Sequence, residues 1–244
     1  MKKLIPSEAK VKLRVFQRYV KDLLTGELAQ LAKFNRIEDE QKQSFKPHFC
    51  ISQAILPTQY SENKKHNLNL AIQRIEDVVI NPGEVFSFWH LVGKPDRAKG
   101  YREGRSLVGN QLKAEYGGGL CQLSGLLYFL TLKAGFPILE RYAHSHDIYT
   151  EVTRFSPLGS DATVVYGYKD FRFQNHLSFP ICFRFDLQDH EISALLCTPQ
   201  PVREYKIEFL VEEYHGGVKV DTVRFIEPTH SPEVLASTIY EKFK

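Results

Sequence analysis

The sequence predicts an α+β fold: N-terminal helices, a glycine-rich loop leading into a central helix, then a mostly antiparallel β-sheet. Three observations predict it. Apolar residues recur at helical spacing in two stretches of the first eighty residues. A run of three glycines opens directly onto a continuous apolar segment. From Ile138 onward the apolar runs are short, β-branched or aromatic, and separated by turn residues.

Residues 7–34 read as helix, with Ser7 as N-cap, Glu8 in the first turn and Gly26 as a break. Val11, Val15, Phe16, Tyr19, Val20, Leu23, Leu24, Leu28 and Leu31 fall near helical spacing, and basic residues occupy much of the opposite face, expected to be solvated. A polar connector covers 35–47. A second helix is expected over Asn67–Val79, followed by a turn at Asn81-Pro82-Gly83-Glu84 and a short strand Val85–Trp89. Residues 93–116 read as loop with short strands. Leu123–Ala134 reads as helix, stopped by Gly135 and Pro137. Strands are expected at Ile138–Tyr142, Ala162–Tyr166, Phe171–Phe173, Ile181–Leu187 and Ile192–Leu196, and a hairpin pairs Tyr205–Glu213 with Val218–Phe225 around His215-Gly216-Gly217. The organisation is an appendage and connector (1–66), a central domain (67–200) and a C-terminal hairpin and tail (201–244).

Composition narrows the function classes. At 244 residues, 43% hydrophobic and 25% charged, the chain suits one globular domain with an appendage and argues against disorder. No stretch approaches the ~20 apolar residues of a membrane span. Charge recurs every few residues after Met1, so no secretory signal is expected and the chain is placed in the cytoplasm. The net charge of +3 is uneven: residues 1–24 carry +5 and the remainder −2. The body therefore gives no reason to expect nucleic acid. The basic helix is where peripheral contact with an anionic membrane surface is expected. Four scattered cysteines make no CxxC pair, so neither a disulfide framework nor a metal or other cofactor is expected. Cys182 and Cys197 lie in apolar runs and read as inert buried thiols.

The chemistry concentrates in Tyr116-Gly117-Gly118-Gly119-Leu120-Cys121-Gln122-Leu123-Ser124. Cys121 falls at a helix N-terminus, where the dipole favours a thiolate. Gly117, Gly118 and Gly119 let a substrate backbone approach and can leave N–H groups for an oxyanion. A thiolate needs a base and the base an orienter. Arg141-Tyr142-Ala143-His144-Ser145-His146 offers two imidazoles, and Asp161 a carboxylate beyond them. The spacing does not decide between His144 and His146. The order resembles that of papain-like thiol enzymes in arrangement only.

Four pieces in this order resemble the VanW family: Asn81-Pro82-Gly83-Glu84-Val85-Phe86-Ser87-Phe88; Gly117 to Ser124; Glu140-Arg141 with His144-Ser145; and Asp161-Ala162-Thr163-Val164. The likeness runs from about Asn67 to Asn175. It implies a link to glycopeptide resistance and cell-wall metabolism, and peptidoglycan L,D-transpeptidase chemistry in some members. Carried over, Cys121 attacks a donor stem peptide or precursor, His144 is base and then acid, and Asp161 orients it. Arg141 grips a substrate carboxylate, or else forms a buried ion pair with Asp161. Gln122 assists the oxyanion, and His146 and the glycines line the substrate. The chain departs from the transpeptidases in lacking an export segment and in continuing Ser124-Gly125-Leu126 where they often have Ser-Thr-Thr. Two rival readings follow, a non-catalytic accessory using the same groove and a cytoplasmic thiol peptidase or amidase.

Overall fold

A computed structural model describes residues 7–108, 111–147, 156–214, 216–226 and 231–242. In chain order the elements are helix α1 (Ser7–Leu24), the short α2 (Glu27–Gln30), strand β1 (Lys46–Ala54), α3 (Ser61–Ile75), β2 (Val85–Ser87), α4 (Phe88–Val92), β3 (Glu103–Val108), β4 (Gln111–Tyr116), α5 (Leu120–Lys133), β5 (Ile138–Glu140), β6 (His146–Asp147), β7 (Arg172–Gln174), β8 (Cys182–Leu187), β9 (Glu191–Thr198), β10 (Lys206–Tyr214), β11 (Gly217–Phe225) and β12 (Glu233–Lys242). The strands form sheets ordered β1-β9-β8, β10-β11-β12-β6 and β2-β7-β5, with β3-β4 a separate hairpin. Every pairing is antiparallel except the short β12–β6 one. This is the α+β architecture the sequence predicts.

Helix α5 is the hub. Leu120, Leu123, Leu126, Leu127, Leu130 and Leu132 are all buried, so the helix is apolar on every side, as a helix enclosed by other elements must be. It stops where expected: Ala134 donates to Leu130 O, and Gly135 takes φ +76°, a left-handed conformation that favours glycine. Beside it Phe86, Phe171, Phe173 and Phe183 pack ring to ring, Phe86 stacked on Phe173 at 5.1 Å and edge-on to Phe183 at 6.0 Å.

Several boundaries differ from expectation, each for a physical reason. Helix α3 begins at Ser61 and ends at Ile75, because Asp77 takes a left-handed φ of +58° and ties to Arg184 at 2.9 Å. Strand β2 stops at Ser87, whose hydroxyl accepts from His90 N–H, so Phe88 and Trp89 enter α4 instead of continuing the strand. Ala162–Tyr166 is irregular rather than a strand. Its polar groups are met by α5 and the Tyr142 segment: the Ser124 hydroxyl donates to Ala162 O at 2.6 Å and Thr163 N–H to Tyr142 O at 2.6 Å. Strand β1, at the edge of its sheet, and β12, between β11 and β6, lie in stretches whose alternation is interrupted by polar residues, and they went unanticipated. Ser7 begins α1, but the residues before it lie outside the description, as does His215 of the β10–β11 turn. Cys182 and Cys197 are buried free thiols facing each other across β8 and β9, as expected of inert residues.

Helix α1 docks by ion pairs as much as by apolar contact. Asp22 is buried against Arg172 at 2.7 Å, and Arg172 also meets Asp170 at 2.9 Å. Arg18 makes a two-pronged contact with Glu140. Val11 and Val15 pack over Gly167, which has no side chain to displace them.

Candidate active site

The site is built where the glycine loop enters α5. Gly117 and Gly119 take φ +80° and +101°, which lets the chain reverse from β4 into the helix within three residues. Gly118 lies against the backbone of Gly104 in β3; a Cβ there would sit 2.2 Å from the Gly104 carbonyl carbon. Buried Asn67 of α3 clamps the loop, donating to Arg102 O at 2.9 Å and Gly118 O at 3.0 Å while accepting from Arg102 N–H at 2.8 Å. Asn67 was read only as the start of a helix, and nothing local marks it as a clamp. Gly118→Ala is expected to displace the loop, to destabilise the fold by about 1–3 kcal/mol as overpacking does, and to slow labelling of Cys121. Thermal unfolding and thiol labelling on one preparation check both effects.

Cys121 is the second residue of α5. Its thiol donates to Val164 O at 3.7 Å, and the His144 side chain lies near enough to lower its pKa. His144 meets Asp161 twice: its backbone N–H donates to Oδ2 at 2.7 Å, and ring Nδ1 lies 2.7 Å from the same oxygen. With Nδ1–H given to a carboxylate, Nε2 is the nitrogen left for the sulfur. His144 is therefore the imidazole between thiol and acid. His146 lines the same cleft from β6, but its Nδ1 lies 3.0 Å from Ser145 Oγ and its Nε2 3.4 Å from Glu241.

Asp161 is held from behind. Its Oδ1 accepts from Arg141 Nη2 at 3.0 Å and from the Tyr240 hydroxyl at 2.5 Å. Arg141 also donates to Asp161 O, Gly159 O and Thr238 Oγ1 and lies 4.9 Å over the Tyr128 ring. With only 8% of its side chain exposed, Arg141 supports the acid instead of facing a substrate carboxylate. The buried ion pair is the alternative the structure realises. Gln122 lines the cleft and donates from its amide nitrogen to Ala54 O at 2.9 Å. Tyr240 comes from β12 in the C-terminal tail, far from any motif, and sequence reasoning missed it. Gly125 lies beneath the Asp161–Ala162 backbone and the Ser124 hydroxyl donates to Ala162 O, so the two residues bring α5 close to the acid.

The electrostatics follow the geometry. Burial alone would raise the Cys121 thiol, but the His144 hydrogen bond and charge outweigh it and hold the thiol below its ordinary value. Burial alone would lower His144, but Asp161 and the thiol raise it to about 10. Burial opposes the Asp161 carboxylate, yet His144, Arg141 and Tyr240 hold it well below the usual carboxylate range. All three shifts favour the charged forms, thiolate, imidazolium and carboxylate, over the neutral ones.

These residues open on a cleft of about 1020 Å³. Gly117, Gly118 and Gly119 form one wall with Lys64, Lys94 and Arg105; Trp89, Tyr166 and Tyr168 are also on its lining. Burial and the neighbouring Arg105 charge lower Lys64 to about 8. Among the described residues no cluster of three or more His, Cys, Asp or Glu is placed to hold a metal ion. No described helix is long and apolar enough to cross a membrane.

A helix-start cysteine beside a histidine that is hydrogen-bonded to a buried carboxylate, all on one cleft, defines the class: a thiol site of the Cys–His–Asp type on an α+β scaffold. The family model of VanW like protein matches residues 63–197, more than half of the chain, and the chain belongs to that family. It is 38% identical over 124 residues to the Bacillus subtilis (strain 168) protein called uncharacterized protein YoaR, covering 51% of this chain and 39% of that one. It is 34% identical over 149 residues to the vancomycin B-type resistance protein VanW of Enterococcus faecalis (strain ATCC 700802 / V583), covering 61% of this chain and 54% of that one. The chain thus spans about half or less of each relative's length. No solved structure matches it.

Proposed function

We propose that this protein is a cysteine-dependent acyl transferase acting on peptidoglycan-type peptides, in the manner of an L,D-transpeptidase. The observation that carries the reading is the Cys121–His144–Asp161 series opening into one cleft. The name of the Enterococcus relative, a vancomycin resistance protein, supports cell-wall peptides as the substrate class. Lys64 and Arg105 on the glycine side suit the carboxylates of such peptides.

In the proposed reaction the Cys121 thiolate attacks the donor amide carbon. The N–H groups of Gly117, Gly118, Leu120 and Gln122 already donate to backbone carbonyls, so those of Gly119 and Cys121 are the donors for the oxyanion. The His144 imidazolium protonates the departing amine and the C–N bond breaks, leaving a thioester. An acceptor amine then attacks the thioester carbon and gives a proton to His144, and the thiolate departs. Asp161 stays ionised throughout and fixes the imidazole.

The test incubates the protein with a synthetic stem peptide and follows intact mass. The expected result is an acyl adduct on Cys121 that an added amine converts to a cross-linked product and that Cys121→Ser abolishes. Release of free acid alone, even with amine present, would replace transfer with a thiol amidase. Tight peptide binding with no adduct would leave a non-catalytic accessory.

A further inference from the structure

The outward side of α1 carries an exposed apolar row beside the basic residues that the sequence leads one to expect there. On a helix of about 3.6 residues per turn, Leu13, Phe16, Leu23 and Leu24 share an arc of about 100° that runs about 17 Å along its C-terminal part. All four are exposed, Phe16 by 62% and Leu24 by 81%. Ion pairs explain why this row is left outside: Arg18 and Asp22 are drawn inward by Glu140 and Arg172, so the ionic face docks. Lys10, Arg14 and Lys21 flank the row on one side and Lys12 on the other, all exposed, against the single exposed carboxylate of Glu8. An apolar strip between two cationic borders is the pattern of a helix lying in a lipid–water interface, with the apolar row among the acyl chains and the cations at the headgroups.

From this we infer that α1 is a docking surface for an anionic lipid bilayer. Charge decides the occupant. A second copy placed face to face would set the cationic borders against each other, whereas anionic headgroups meet both. Lys10 and Val11 also line the Cys121 cleft, so docking holds the cleft mouth beside the lipid surface.

The test is sedimentation of the full chain with vesicles of phosphatidylcholine containing one-third phosphatidylglycerol, beside vesicles of phosphatidylcholine alone. The expected result is binding to the anionic vesicles that salt weakens and that Phe16→Glu with Leu23→Glu abolishes. Lys12→Glu with Lys21→Glu should lower the partition coefficient by roughly 30-fold or more, at about 1 kcal/mol per cation near the surface. All four side chains are exposed, so circular dichroism of both variants should match the parent. No sedimentation with anionic vesicles, or binding indifferent to the Phe16 and Leu23 changes, would overturn the inference. So would dimerisation without lipid that the same two changes abolish. None of these outcomes depends on the chemistry at Cys121.

Discussion

Iodoacetamide should alkylate Cys121 with a pH midpoint below that of an ordinary cysteine, and His144→Ala should move that midpoint up and make the rate fall steeply below pH 8.5. The thiol is held below its ordinary value by His144, which is itself raised to about 10 and so stays charged in this range. Removing the imidazole takes away what lowers the thiol and leaves burial, which raises it. An ordinary cysteine near 8.5 is only about 3% thiolate at pH 7. Low-pKa thiolates are intrinsically weaker nucleophiles, which offsets part of that difference, and the net expectation is a loss of roughly tenfold or more at pH 6. Mass spectrometry separates Cys121 from exposed Cys50, which supplies an internal control. A wild-type rate that climbs with a midpoint between pH 8 and 9 would sink the ion pair and, with it, the nucleophile. His146→Ala should leave the profile in place, because that imidazole is turned to Ser145 and Glu241.

Such an experiment bears on residues that the sequence made unequally visible. Cys121 was legible because three glycines and an apolar helix bracket it, and both signals are local. His144 and Asp161 were legible as candidates through the order of motifs, but the choice between His144 and His146 depends on a contact across the fold. Tyr240 and Asn67 were invisible. Each is an ordinary residue within its own element and acts through partners distant in sequence, Tyr240 through Asp161 79 residues away and Asn67 through Arg102 and Gly118, 35 and 51 away. Arg141 had two readings, and the geometry selects the ion pair, since its donors end on Asp161, Gly159 and Thr238. The family segment and the α+β class were likewise readable, because apolar periodicity and motif order survive without tertiary information. The docked face of α1 was not. Periodicity finds an apolar stripe, but here the body presents Glu140 and Arg172, and the stripe is turned to the outside.

Asp161→Ala should be the most damaging single substitution in the site, costing about 3–5 kcal/mol of stability, because it strands the buried Arg141 guanidinium. Four groups lose a partner at once: the His144 ring, its backbone N–H, Arg141 and the Tyr240 hydroxyl. The charge contribution also has a defined pH window. His144 is raised from 6.5 to about 10, so its share is complete below 6.5 and lost as pH rises through 10. Asp161 is held below its ordinary 3.8, so its share is complete above that value and lost as pH falls through the depressed one. The fold should therefore lose stability in strong acid and again near pH 10, and Asp161→Ala should flatten both arms. Urea midpoints across pH measure this directly. Function and stability separate in a second variant, Arg141→Met with Asp161→Ala, which removes both buried charges together. Its stability should recover most of the loss, since no unpaired ion remains. Its thiol should stay slow, by roughly 100-fold or more in any acyl transfer, since His144 still lacks the carboxylate that orients and charges it. If the double variant recovers labelling along with stability, Asp161 is a packing residue, and the series ends at His144.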